Sequence, residues 1–201
     1  GLSNLAYANA IIGFLPVFED GRTLFDHIAR ISVPRLKYFT PQNISNLVWS
    51  FEKIGASNPG LFMEVGNTIV SLDNLGEFNS QSLSNILLAF AKAGEKHPRL
   101  FEKVADHIVA LDDLDSFNPQ ELSNIMWAFA KAGEKHPMLF KEVAIHILML
   151  DQLDVFIPQA LANLAWAFVK VNESDPRLFE KIANHVVALN NLNEFNSQAL
   201  V

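Results

Sequence analysis

A phenylalanine returns every 39 residues along this chain, at Phe39, Phe78, Phe117, Phe156 and Phe195, and each heads a repeated block. Residues 78–116 and 117–155 agree at roughly two-thirds of their positions, over a length typical of solenoid repeats. Segments 39–77, 78–116, 117–155 and 156–194 are full copies, 1–38 is a degenerate copy with an insertion near Pro16 to Gly21, and 195–201 begins the next. A block of this size holds one helical hairpin, which cannot cover its own apolar surface and must stack on its neighbours. The repeat therefore predicts an all-α chain, a right-handed α-solenoid of 39-residue helical hairpins, continuous as one domain over 1–201. Neither end carries the polar capping repeat that a solenoid needs. The chain accordingly reads as a fragment of a longer array, with further repeats of the same chain at both ends.

Local signals place the two helices of each unit. In the 117–155 copy the first helix is expected to open at Asn118-Pro119, an N-cap residue followed by proline where a missing N–H costs nothing. It should close at Gly133, whose equivalents are Gly55, Gly94 and Asn172, the two residue types that best tolerate a left-handed helix end. The second helix is expected from His136-Pro137 to about Leu150, with Asn58-Pro59 and Asp175-Pro176 as clearer caps in other copies. At 100° per residue, Leu122, Ile125, Met126, Phe129 and Ala132 form the buried arc of the first helix, and Leu139, Phe140, Val143, Ile147 and Leu150 that of the second. Phe51, Phe90, Phe129 and Phe168 read as core, as do Phe62, Phe101, Phe140 and Phe179.

Composition excludes more than it selects. Fifteen Lys and Arg against 22 Asp and Glu give a net charge of −7, so the chain is not a domain basic all over. With no cysteine, disulfide frameworks, thiol catalysis and sulfur-based zinc sites are ruled out. No apolar run approaches the roughly 18 residues that span a bilayer, so no membrane partner is expected. Phosphate-binding glycine loops, nucleophile elbows and His-Glu-x-x-His are absent, and the chain is not expected to be an enzyme or to carry a cofactor. Asp113-Leu114-Asp115 resembles the start of a calcium loop, but Phe117 stands where a ligand is required and Asn118 where glycine makes the turn. His107, His146 and His185 hold one place in successive repeats, about 10 Å apart at one helix spacing. A zinc ion, at about 2.0 Å from each nitrogen, cannot bridge them, so they read as solvated or hydrogen-bonded histidines.

A polar stripe of Gln120, Asn124, Ala128 and Lys131 faces away from the buried arc of the first helix. Its members recur. Asn4, Asn46, Asn85, Asn124 and Asn163 hold one position, Lys53, Lys92, Lys131 and Lys170 another two turns later, and Gln42, Gln81, Gln120, Gln159 and Gln198 a third. Stacked hairpins would line these up as three parallel rows. Glu102, Asp106, Asp112, Asp113, Asp115, Glu142 and Asp154 fall instead in second helices and connectors, so an acidic chain can still offer one locally basic, amide-rich groove. Such a groove suits single-stranded RNA, with lysines on phosphates and amides on base edges or ribose hydroxyls. The other reading makes the asparagines a ladder bonded from repeat to repeat and the lysines a solvated face. Asn43, Ser82, Glu121 and Ala160 share one position, expected to be exposed, and differ between copies, as residues that read a sequence would. Trp49, Trp127 and Trp166, with Tyr7 and Leu88 in the other copies, lie at the edge of the stripe and either stack on bases or wedge between first helices.

The pattern Pro-Gln-x-Leu-Ser/Ala-Asn-x-x-Trp-Ala-Phe-x-Lys resembles the octotricopeptide repeats of algal organelle proteins, and is similar to the helical repeats of RAP-domain and FAST kinase-like proteins. Asn46-Leu47-Val48-Trp49, Asn124-Ile125-Met126-Trp127 and Asn163-Leu164-Ala165-Trp166, running on to Phe51, Phe129 and Phe168, carry the resemblance. It implies RNA binding in a mitochondrion or chloroplast, in transcript maturation, stability or translation. The acidic charge and the uniform polar face leave open a protein-interaction scaffold of the armadillo or HEAT type, with a protein as partner.

Overall fold

The computed structural model describes residues 1–188, and Phe195, Gln198 and the truncated repeat 195–201 lie outside the described residues. The chain folds as α1 (Leu2–Ile12), α2 (Leu24–Ser32), a short 3-10 helix (Val33–Tyr38), α3 (Pro41–Ile54), α4 (Pro59–Val70), α5 (Ser80–Ala93), α6 (Pro98–Val109), α7 (Pro119–Ala132), α8 (Pro137–Met149), α9 (Pro158–Val171) and α10 (Pro176–Ala188). Odd-numbered helices are the first of each hairpin and even-numbered the second. Among the described residues there is no strand, only an isolated bridge between Val17 and Thr23. The all-α solenoid of helical hairpins is thus the fold.

The caps work as the sequence requires. Thr40, Asn79 and Asn118 accept hydrogen bonds from the backbone N–H of Asn43, Ser82 and Glu121 at the openings of α3, α5 and α7. Gly55, Gly94 and Gly133 close these helices at φ 72°, 73° and 77°, and Asn172 closes α9 at φ 63°. Each connector then makes the same turn, the N–H of Phe39, Phe78, Phe117 and Phe156 donating at 2.9 Å to the carbonyl of Leu36, Leu75, Leu114 and Leu153. Those four leucines are buried.

Backbone packing divides the chain into two compact units, Gly1–Val104 and Ala105–Val201. In the first unit α1, α3 and α5 lie side by side. Phe25 of α2 meets Phe51 of α3 edge-on at 4.9 Å, and Phe62 of α4 meets Phe90 of α5 at 5.0 Å. In the second unit α7 lies beside α9, and Phe140 of α8 stands between Phe129 and Phe168 at 6.5 and 5.1 Å. Edge-to-face pairs of this kind are worth about 0.5–1.5 kcal/mol beyond their buried area. The period thus carries one phenylalanine of each helix from α2 to α9 into the interior.

Four details depart from the helical-wheel reading. Ala128 is fully buried rather than part of the polar stripe. It lies about 40° round the helix from Asn124, and a stripe so narrow does not stay open on both flanks when other helices pack against it. Ala132 and Leu150 are only half-buried, being the last residues of their turns. Phe179 is half-buried too. The degenerate copy ends differently: Pro34 cannot donate to a preceding carbonyl, so α2 stops at Ser32 and the chain continues as the 3-10 helix.

Candidate nucleic-acid interface

Helix caps fix where the stripe begins. Because each first helix starts one residue after its cap, Gln42, Gln81, Gln120 and Gln159 fall in the first turn, the asparagines one turn later and the lysines in the last turn. Lys53, Lys92, Lys131 and Lys170 are exposed, and a cation there is favoured by the free carbonyls of the helix end. Asn46, Asn85, Asn124 and Asn163 are half-buried. Gln120 donates to the Asn124 side-chain oxygen at 2.9 Å, and Gln159 to that of Asn163 at 3.0 Å. These bonds run along one helix, not from repeat to repeat, and leave each asparagine NH2 and each glutamine oxygen able to meet another molecule.

In the first unit the rows border a groove of about 740 Å³. Gln42, Asn46, Gln81 and Asn85 line it, with Ser45, Asn79 and the rings of Tyr7 and Trp49. Glu77 lines it as well, and no lysine does. The expected locally basic groove is therefore amide-rich but not basic. The reason is helical rise: seven residues separate Asn46 from Lys53, about 10 Å along the axis, so the cations stand at the far end of the face.

The aromatic residues wedge between first helices. Tyr7 and Trp49 stack at 5.0 Å with 34° between planes, and Trp127 and Trp166 at 6.2 Å with 32°. Each pair bridges neighbouring first helices, yet Tyr7 and Trp166 remain 42% and 38% exposed, enough to present a ring to a ligand.

The four variable residues do not share an exposed position. Ser82 and Ala160 are buried, while Asn43 and Glu121 are half-buried. They occupy the third position of their helices, where the cap closes over them. The Asn43 and Ser82 N–H groups are bound by Thr40 and Asn79, and the Ala160 carbonyl accepts from Ser123 at 3.1 Å. Glu121 completes a capping box, accepting from the Asn118 N–H at 2.9 Å.

Structural polar contacts that the sequence pattern did not single out lie between second helices. His97 and His136 each cap their own helix, Nδ1 accepting at 3.2 Å from the N–H of Leu100 and Leu139. That leaves Nε2 to carry the proton and donate to the helix of the previous repeat, to Asn67 at 3.3 Å and Asp106 at 3.1 Å. His146 and His185 face Asp115 and Asp154 at 3.9 and 3.8 Å. At His107 the equivalent connector residue is Gly76, and burial holds the imidazole below its ordinary value. A further row of small residues, Ser45, Ser84 and Ser123, is buried, with the Ser123 hydroxyl donating to the Ala160 carbonyl of the next first helix. Its only sequence signal is a small residue returning with the repeat.

Compared with known families, residues 18–198 match the model of the RNA-editing substrate-binding complex 6 protein (RESC6) family. The match covers most of the chain, so the chain belongs to that family. No curated protein matches it. Among the described residues no helix is long and apolar enough to cross a membrane.

Proposed function

We propose that this member of the RNA-editing substrate-binding complex 6 family binds single-stranded RNA along the face of its first helices and acts in the maturation of organelle transcripts. Lys53, Lys92, Lys131 and Lys170 take phosphates, and the Gln and Asn rows take ribose hydroxyls and base edges. The exposed rings of Tyr7 and Trp166 offer stacking surfaces. The observation that carries this reading is the recurrence of Gln, Asn and Lys in one order on α3, α5, α7 and α9, which matches a ligand with a repeated backbone. Because Ser82 and Ala160 are buried, the face grips shape and backbone rather than reading one base per repeat. A mitochondrion or chloroplast is the proposed compartment, by the resemblance to octotricopeptide repeats. The chain acts by holding RNA, not by catalysis.

The test is equilibrium binding of an oligouridine at about 50 and 200 mM salt. Single strands contribute a slope of about −0.7 per phosphate contact, so four lysines give log K against log salt a slope of about −3. Absence of binding at the lower salt, or a flat response, rejects the reading. Glu77 in the groove favours the competing one, a protein-interaction scaffold, which a negative result would leave standing.

A further inference from the structure

One position of the second helices reads Glu64, Lys103, Glu142 and Lys181 in successive repeats. The two lysines do the same thing. The Lys103 ammonium donates to the Val70 carbonyl at 3.3 Å and to the Leu72 carbonyl, both at the end of α4. The Lys181 ammonium donates to the Leu148 carbonyl at 3.0 Å and to the Leu150 carbonyl, at the end of α8. Each neutralises the negative end of the preceding second helix.

Between them the slot is reversed. Val109 and Leu111 are the equivalent carbonyl residues at the end of α6, and the side chain that faces this end is Glu142. It lines a groove of about 420 Å³ with Asp112, Asp113 and Asp115; His146, facing Asp115 at 3.9 Å, is its one basic side chain, and no Lys or Arg borders it. The matching groove at the end of α8 sets Lys181 and Arg177 beside its carboxylates Asp151, Asp154 and Glu180. The two also differ in apolar character. Ile145 and Met149 stand where the other has Asn184 and Ala188, and Met149 is 78% exposed. A carboxylate over a helix C-terminus, beside further carboxylates, is unfavourable unless a cation joins it. Exposed Leu111, Ile145 and Met149 add an apolar floor.

We propose that this groove is the docking site of a basic, amphipathic helical segment of a partner protein. A lysine or arginine of the partner takes the place that Lys103 and Lys181 fill in the flanking repeats, and its apolar face covers Ile145 and Met149. The site lies on second helices and a connector, and does not depend on RNA binding to the first helices.

The probe is a fluorescent amphipathic peptide of about 16 residues built from Leu and Lys, with a Leu and Glu counterpart, titrated by anisotropy at about 150 mM salt. The basic peptide should bind and the acidic one should not. Glu142→Lys places the chain's own cation in the slot, as the neighbouring repeats do. It should weaken the basic peptide at least about tenfold, about 1.4 kcal/mol, while the melting temperature stays level or rises. Met149→Ala should weaken it several-fold, and Glu102→Lys, an equal charge change outside the groove, by less than about twofold. No binding, or equal losses for Glu142→Lys and Glu102→Lys, overturns the proposal, the latter showing only general attraction to an acidic chain. Sedimentation showing a dimer that Glu142→Lys dissociates would also overturn it, the occupant then being a second copy.

Discussion

The first helices of this protein repeat their surface, and the second helices vary theirs. Gln, Asn and Lys return unchanged on α3, α5, α7 and α9, whereas the slot at the second-helix ends alternates between Glu and Lys. Both surfaces rest on the same helical hairpin, so the hairpin fold alone does not explain the contrast. A uniform row suits a ligand that is itself periodic. A row whose charge changes sign gives each level its own partner chemistry. The lesson is that repetition on one face and variation on the other separate a polymer grip from a local address.

The largest test of that contrast removes the lysine row. Lys53, Lys92, Lys131 and Lys170 changed together to Ala should cost about 10²–10³-fold in RNA affinity near 0.1 M salt. Basic-peptide binding should not change, and stability should move by less than about 0.5 kcal/mol per site. Loss of both ligands together would erase the distinction between the faces. Trp166→Ala should lower RNA affinity by about 1–3 kcal/mol if one base stacks there, measured in the same titration, again with the peptide unaffected. His136→Ala acts on the other side. Losing the α8 cap and the bond to Asp106 should cost about 1–2 kcal/mol in denaturant unfolding, with RNA affinity retained once folded.

Smaller effects sharpen the picture. Glu142→Lys should raise stability by about 0.3–1 kcal/mol, because Lys103 and Lys181 show the geometry it would adopt. The pH dependence can be signed. Burial lowers the folded-state value of His107 from 6.5, so the unfolded chain takes the proton more readily. Its contribution to stability is present above that value and is lost as pH falls through the folded one. Urea unfolding of His107→Gln should therefore lose less stability than the parent between about pH 7 and pH 5. Asp26 follows the carboxylate rule. The Thr23 hydroxyl and N–H, donating at 2.7 and 2.8 Å, hold it below 3.8, so its share is lost at lower pH still.

The hairpin was legible because its signals are local. Asn118-Pro119 and Gly133 set a helix without reference to anything distant, and the period of 39 told which face each repeat must bury. The amide and lysine rows were legible for the same reason. What could not be read depended on what the neighbouring repeat supplies. Ser82 and Ala160 look like variable surface in one helix and are buried once caps and adjoining helices close over them. His97 and His136 look like poor caps until Asn67 and Asp106 stand opposite, thirty residues earlier. Glu77 belongs to a connector by sequence and to the groove wall by folding. Helix phase likewise aligned Asn124 with Lys131 but gave no sign that the groove itself holds no cation.

Photocrosslinking of a 4-thiouridine oligonucleotide to the intact chain, with the attached peptides mapped by mass spectrometry, tests the first-helix face most directly. Attachment should fall on peptides carrying Tyr7, Trp49, Trp127 and Trp166 and disappear from them in the four-lysine variant. Attachment concentrated on α4, α6, α8 or α10 would place the RNA on the opposite face and contradict the account.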